Sequence, residues 1–164
     1  MWLPFDLHPE YPPEGIPRDQ LHRRYGEHAH EQVRAMFERE RLTYNPPPDV
    51  VPNSRLALRL TELARDRGLH EPVHNRLMDA YWTEARNIGD DATLRELAAE
   101  AGLSEVDGVF DGDAYLDRIR ASTAQAQSIG INGIPAFLLD GRLLVLGAQP
   151  REVFVRAFER LSAQ

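Results

Sequence analysis

Residues 130–147 place the tightest limit on what this chain can fold into. Gly130-Ile131-Asn132-Gly133-Ile134-Pro135 leads into Ala136-Phe137-Leu138-Leu139, then Asp140-Gly141-Arg142, then Leu143-Leu144-Val145-Leu146-Gly147. The two apolar runs have strand length. Asp-Gly between them is a hairpin signal, because a type I′ turn needs positive φ and this dipeptide tolerates it. Apolar residues on both faces of each run imply strands covered on two sides. Pro135 falls at the first strand position, where a missing N–H costs no ladder bond, and two glycines before it permit a sharp approach.

The rest of the chain reads mainly as helix. Met1 to Leu7 has strand character, with Trp2, Phe5 and Leu7 as its apolar content and Pro4 marking an edge. Residues 8–17 carry Pro9, Pro12, Pro13 and Pro17 and form an extended loop. Helical periodicity then runs from Arg18 to Tyr25 and from Glu27 to Arg41, the second with Val33, Met36 and Phe37 on one face. Asn45-Pro46-Pro47-Pro48 is a breaker and reads as a stiff loop. Asn53 or Ser54 caps a helix striped by Leu56, Leu60 and Leu63, which Gly68 ends. A further helix is expected from Glu71 to Asn87, with Val73, Leu77 and Tyr81 in one row and Met78, Trp82 and Ala85 in another. Thr93 with Glu96 suggests a capping box for a short helix ending at Gly102. Asp111 or Asp113 opens another that carries Tyr115, Ile119 and Ala126. Pro150 suits the first position of a last helix, whose expected buried face is Val153, Phe154, Ala157, Phe158 and Leu161.

Several stretches resemble one family. Gly133-Ile134-Pro135-Ala136-Phe137 is similar to the cis-proline loop of thioredoxin-fold proteins. The continuation Gly147-Ala148-Gln149-Pro150 before a helix resembles the DsbA-like thiol oxidoreductases of the FrnE-like group, with relatives among 2-hydroxychromene-2-carboxylate isomerases. Trp2-Leu3-Pro4-Phe5-Asp6-Leu7-His8-Pro9-Glu10, Pro13-Glu14-Gly15, Pro52-Asn53-Ser54, Asn87-Ile88-Gly89-Asp90 and Leu97-Ala98-Ala99-Glu100-Ala101-Gly102-Leu103 resemble the same group, in the family's order. The resemblance implies an α/β, thioredoxin-like fold with a large helical insertion. Residues 1–17 and 130–164 would form an incomplete core, and residues 18–129 the insertion. It also implies a cis Ile134–Pro135 bond, a substrate-binding role for Gly133, Ile134 and Pro135, and an extended peptide or protein thiol substrate that adds to Ile134 like an extra strand.

The departure from the family concerns its chemistry. The family's paired redox cysteines lie upstream of the Trp2–Phe5 strand, and this sequence has no cysteine. The chain resembles a member lacking the first strand and helix, so no catalytic residue is expected in it. The isomerases' glutathione-linked chemistry uses the same region and is equally unsupported. Without that central strand, Met1–Leu7 is expected either to pair directly with Ala136–Leu139 or to leave the sheet for a second copy of the chain to complete.

Composition removes other classes. The net charge of −7 argues against a nucleic-acid partner. All 19 basic residues counted with Lys are Arg, which excludes lysine Schiff bases and a P-loop lysine. No apolar run reaches membrane-span length, and no leader pattern opens the chain, so a cytoplasmic location without membrane contact is the expectation. No cofactor and no metal are expected. His70-Glu71-Pro72-Val73-His74 matches the H-E-x-x-H pattern, which leaves a zinc hydrolase as an alternative. Pro72 argues against it by placing His70 in a loop before the helix, off the face of His74. His28 and His30 read as a solvated face. Asp107, Asp111 and Asp113 beside Gly108 and Gly112 lack the distal Glu of a calcium loop and read as turn and cap residues. None of Ser54, Ser104, Ser122 and Ser128 sits in a nucleophile elbow. A peptide- or protein-binding module without catalysis is the other class the residues allow.

Overall fold

In a computed structural model the chain is described at residues 1–25 and 27–163, with the side chains of residue 22 and of residues 24–30 outside that description. His28 and His30, expected on a solvated face, therefore fall outside the described side chains. A short antiparallel pair joins β1 (Ile16–Pro17) to β2 (Val50–Val51), with Ile16 opposite Val51. Between them run α1 (Arg18–Tyr25) and α2 (Glu27–Arg39). Five more helices follow: α3 (Arg55–Asp66), α4 (His70–Trp82), α5 (Asp91–Glu100), α6 (Asp107–Phe110) and α7 (Leu116–Ser128). The chain closes with a hairpin, β3 (Ala136–Leu139) and β4 (Leu143–Leu146), and with α8 (Arg151–Ser162).

The core sits around α3. Its apolar stripe recurs at helical spacing, and α4, α5, α6 and α7 surround it, so it is buried on nearly every side. Leu60, Leu77, Leu94, Leu97 and Ile119 are fully buried, each contributing about 1.5–3 kcal/mol of transfer free energy. Asn53 latches the N-terminus of α3 to the proline loop. Its Oδ1 accepts from Arg55 N–H at 2.9 Å, and its Nδ2 donates to the Tyr11 carbonyl at 2.7 Å. Gly68, at φ +72, ends the helix as expected.

The N-terminal segment departs from expectation. Residues 1–7 make no strand, and β3 pairs only with β4 among the described residues, so direct pairing of Met1–Leu7 with Ala136–Leu139 is not found. The reason lies in side chains that take up the segment's backbone. Arg65 donates to the Trp2 carbonyl at 2.6 Å, Ser122 Oγ to the Pro4 carbonyl at 2.7 Å, and the Asp6 N–H donates to Thr123 Oγ1 at 3.0 Å. An extended chain satisfied by α3 and α7 needs no strand neighbour.

Helix boundaries supply the other corrections. α4 begins at His70, two residues before Pro72. A proline in the first turn lacks only an N–H that no helical carbonyl would have accepted, so it breaks nothing. α4 stops at Trp82 instead of Asn87, because Ala85 takes the left-handed region at φ +56. The α5 cap is Asp90, whose carboxylate accepts from Thr93 N–H at 2.8 Å, and not a Thr93–Glu96 box. α7 starts at Leu116, later than Asp111 or Asp113, with the Asp113 carbonyl accepting the Leu116 N–H. Pro150 is the residue before the first turn of α8, and Phe158 is exposed where a buried face was expected.

Candidate functional site

The site is built where α7 gives way to the hairpin. Gly130, at φ +88, lets the chain leave the helix, with its N–H bonded to the Gln127 carbonyl at 3.0 Å. Ile131 turns inward, is buried, and donates to the Ala126 carbonyl. Asn132, Gly133 and Ile134 then lie exposed, and the Ile134–Pro135 bond is cis. The Pro135 carbonyl accepts the Gly147 N–H at 2.8 Å, which closes the open end of the hairpin. Neither the N–H nor the carbonyl of Ile134 bonds to backbone among the described residues.

The hairpin orients this loop. Asp140 and Gly141 both have positive φ, at +52 and +64, and Arg142 N–H donates to the Leu139 carbonyl at 3.0 Å. Leu139 pairs with Leu143, so Arg142 is left as an extra residue in the turn. Phe137 and its partner Val145 face α8, where Phe137 meets Phe154 edge-on at 4.9 Å. The opposite face carries Leu138 and Leu146, which are 49% and 48% exposed. The edge of β3 away from β4 is unpaired among the described residues. Among the described residues the loop is thus flanked by the open edge of β3, with a peptide unit at Ile134 that has no backbone partner and an apolar face beside them.

The histidine motif folds differently from the sequence reading. With Pro72 inside the helix, His70 and His74 lie one turn apart on one face, their rings stacked at 5.6 Å. Trp2 stacks on His74 at 5.1 Å. Burial holds both imidazoles below the usual histidine pKa, and for His70 the Arg65 and His74 charges push the same way while Glu62 opposes them. Among the described residues no third His, Cys, Asp or Glu joins them to make a metal-ligating group. His74 is an aromatic shelf for Trp2 of the N-terminal segment.

The acidic residues near α6 take cap and turn positions. Asp107 opens that helix and is paired with Arg95, and Asp111 closes it. Ser122 and Ser128 spend their hydroxyls on the Pro4 and Gln125 carbonyls. Sequence reasoning missed Arg55, Arg59, Arg65 and Thr123, the side chains that hold loops and the N-terminal segment in place. An arginine on a helix gives no sign of which distant carbonyl it will reach.

A hairpin followed by a helix and joined to a helical block agrees with the class of thioredoxin-type proteins with a helical insertion. The particular family follows from comparison. The model for the DSBA-like thioredoxin domain matches residues 1–159, and the chain belongs to that family. Its fold is the α/β thioredoxin-like fold with a helical insertion that the sequence led one to expect. The chain is 31% identical to a probable DsbA oxidoreductase of Streptomyces coelicolor, with a TM-score of 0.87 over 98% of this chain and 74% of that one. It is 26% identical over 160 residues to the Bacillus subtilis protein YwbO, covering 95% of this chain and 78% of the relative. No helix among the described residues is long and apolar enough to cross a membrane.

Proposed function

We propose that this chain holds an extended peptide or protein segment at Ile134–Pro135 and carries out no thiol–disulfide exchange itself. The observation that carries the reading is the exposed peptide unit of Ile134, free of backbone partners among the described residues and continuous with the open edge of β3. An added strand would take hydrogen bonds from that edge and set alternate side chains beside Ala136 and Leu138. Thiol–disulfide exchange needs a thiolate as attacking group, and the sequence has no cysteine to supply one.

Two measurements test this. In a disulfide-reduction assay the chain shows no thiol-dependent turnover, and turnover above the buffer rate would overturn the second half of the reading. For the first half, a blocked peptide alternating valine and threonine is titrated into the protein by calorimetry. Ile134→Ala keeps the backbone groups and binds within about twofold of the parent. Ile134→Pro removes the N–H and binds roughly tenfold more weakly, the worth of one or two hydrogen bonds. Equal loss in both variants would mean that side-chain packing, not strand addition, holds the peptide. The same edge suits a second copy of the chain, so sedimentation with and without the peptide shows whether the two compete.

A further inference from the structure

We propose that Asn132–Gly133 is a site of spontaneous covalent self-modification, and that its conversion alters binding at the neighbouring Ile134; this second half rests on the function proposed above. The sequence contains five asparagines, and Asn132 is the one followed by glycine. Both residues are exposed and outside any helix or strand. The Gly133 N–H has no backbone partner among the described residues, and the Asn132 amide is held only by a long 3.5 Å bond to the Gly130 carbonyl.

These are the conditions the reaction needs. The Gly133 backbone nitrogen attacks Cγ of Asn132. An N–C bond forms, the Cγ–Nδ2 bond breaks, and ammonia leaves with the proton from the Gly133 N–H. The product is a five-membered succinimide. Water then opens it at either carbonyl, giving aspartate or isoaspartate, with no oxidant or reductant involved. Glycine favours the ring because it has no Cβ to hinder the required backbone rotation.

The other four asparagines lack one condition each. Asn45 precedes Pro46, which has no N–H to react. Asn53 is buried, with both side-chain atoms bonded. The nitrogen after Asn75 belongs to α4. Asn87 is bonded through Oδ1 to the Gly89 N–H and precedes the buried Ile88.

Either product changes the site. Both add a negative charge two residues from Ile134. Isoaspartate also reroutes the main chain through Cβ and Cγ, lengthening it just before the free peptide unit. The modification therefore weakens strand addition there.

The test uses the whole chain held at body temperature and mildly alkaline pH, followed by peptide mapping and enzymatic isoaspartate labelling. Aspartate and isoaspartate are expected at position 132 roughly tenfold sooner than at any other asparagine. Gly133→Ala is expected to slow the conversion about tenfold. A Cβ there meets no atom within 4 Å, and the φ of Gly133 lies outside the left-handed region, so the variant keeps its fold. Conversion that is no faster at 132 than elsewhere, or that ignores Gly133→Ala, overturns the site. Fresh and converted protein, separated by charge, are then titrated with the valine–threonine peptide. Binding by the fresh form and at least about fivefold weaker binding by the converted form supports the coupling, and equal binding overturns it. If the fresh form does not bind, the proposed function fails and the coupling fails with it, while the mapping result still decides the modification.

Discussion

The helical block and the hairpin–α8 unit both carry apolar stripes and runs, yet they bury them to different extents. Around α3 whole leucines disappear from solvent, because several helices each present a stripe to the same axis. In the hairpin–α8 unit one helix covers one face of two strands. Val145 and Ala157 are buried, while Leu138, Leu146 and Phe158 stay about half exposed. Among the described residues none of α1–α7 packs broadly against that unit. The contrast shows that a hydrophobic run specifies burial only if the fold supplies a second layer. The block supplies its own, and the hairpin leaves one face open.

The strongest way to break this comparison is a matched pair of truncations. Leu94→Ala in the block is expected to cost about 3–4 kcal/mol, read from denaturant unfolding followed by circular dichroism. Leu138→Ala on the bare hairpin face belongs at the other end of the scale, at less than about 1 kcal/mol. Equal costs would show that the hairpin face is covered in solution.

Asn53→Ala comes next, at about 2 kcal/mol, because it leaves the Tyr11 carbonyl and the Arg55 N–H without their partner. Acid sharpens the comparison from another side. Burial keeps His70 and His74 below the ordinary histidine pKa, so the unfolded chain binds protons first as pH falls. The block is expected to lose stability between about pH 7 and pH 5, and to lose less of it in a His70→Gln, His74→Gln double variant. A denaturation midpoint that is flat over that window in the parent would contradict the stacked, desolvated pair. Asp90→Ala removes the α5 cap and should cost about 1 kcal/mol in the same assay.

Much of the architecture was legible in the sequence. The Leu56–Leu60–Leu63 stripe found α3, and two apolar runs around Asp-Gly found the hairpin to the residue, because both signals are local. The failures have separate physical causes. Trp2–Leu7 looks like a strand, but a strand exists only with a neighbour, and here arginine, serine and threonine side chains took the backbone instead. Pro72 was read as a helix boundary, whereas a first-turn proline is tolerated, and that single difference brought His70 and His74 together. Phe158 has the spacing of a buried residue on α8 with no layer to bury it. The loop at Gly133–Pro135 was singled out through its resemblance to a family and not through periodicity, which says nothing of loops.

The arginines that reach backbone carbonyls behave as cross-links in a chain that has no disulfide to use. Arg65 to Trp2 spans 63 residues, Arg59 to Ala114 spans 55, Arg55 to Pro9 spans 46 and Arg18 to Pro47 spans 29. The entropy of closing a loop grows only logarithmically, about 0.6 kcal/mol for each doubling of length. The longest tie therefore constrains the chain little more than the shortest, and the number of ties matters more than their reach. A guanidinium keeps its charge across the whole physiological pH range, and no reductant opens such a tie. These four closures are thus set by arginine geometry and are blind to the redox state of their surroundings.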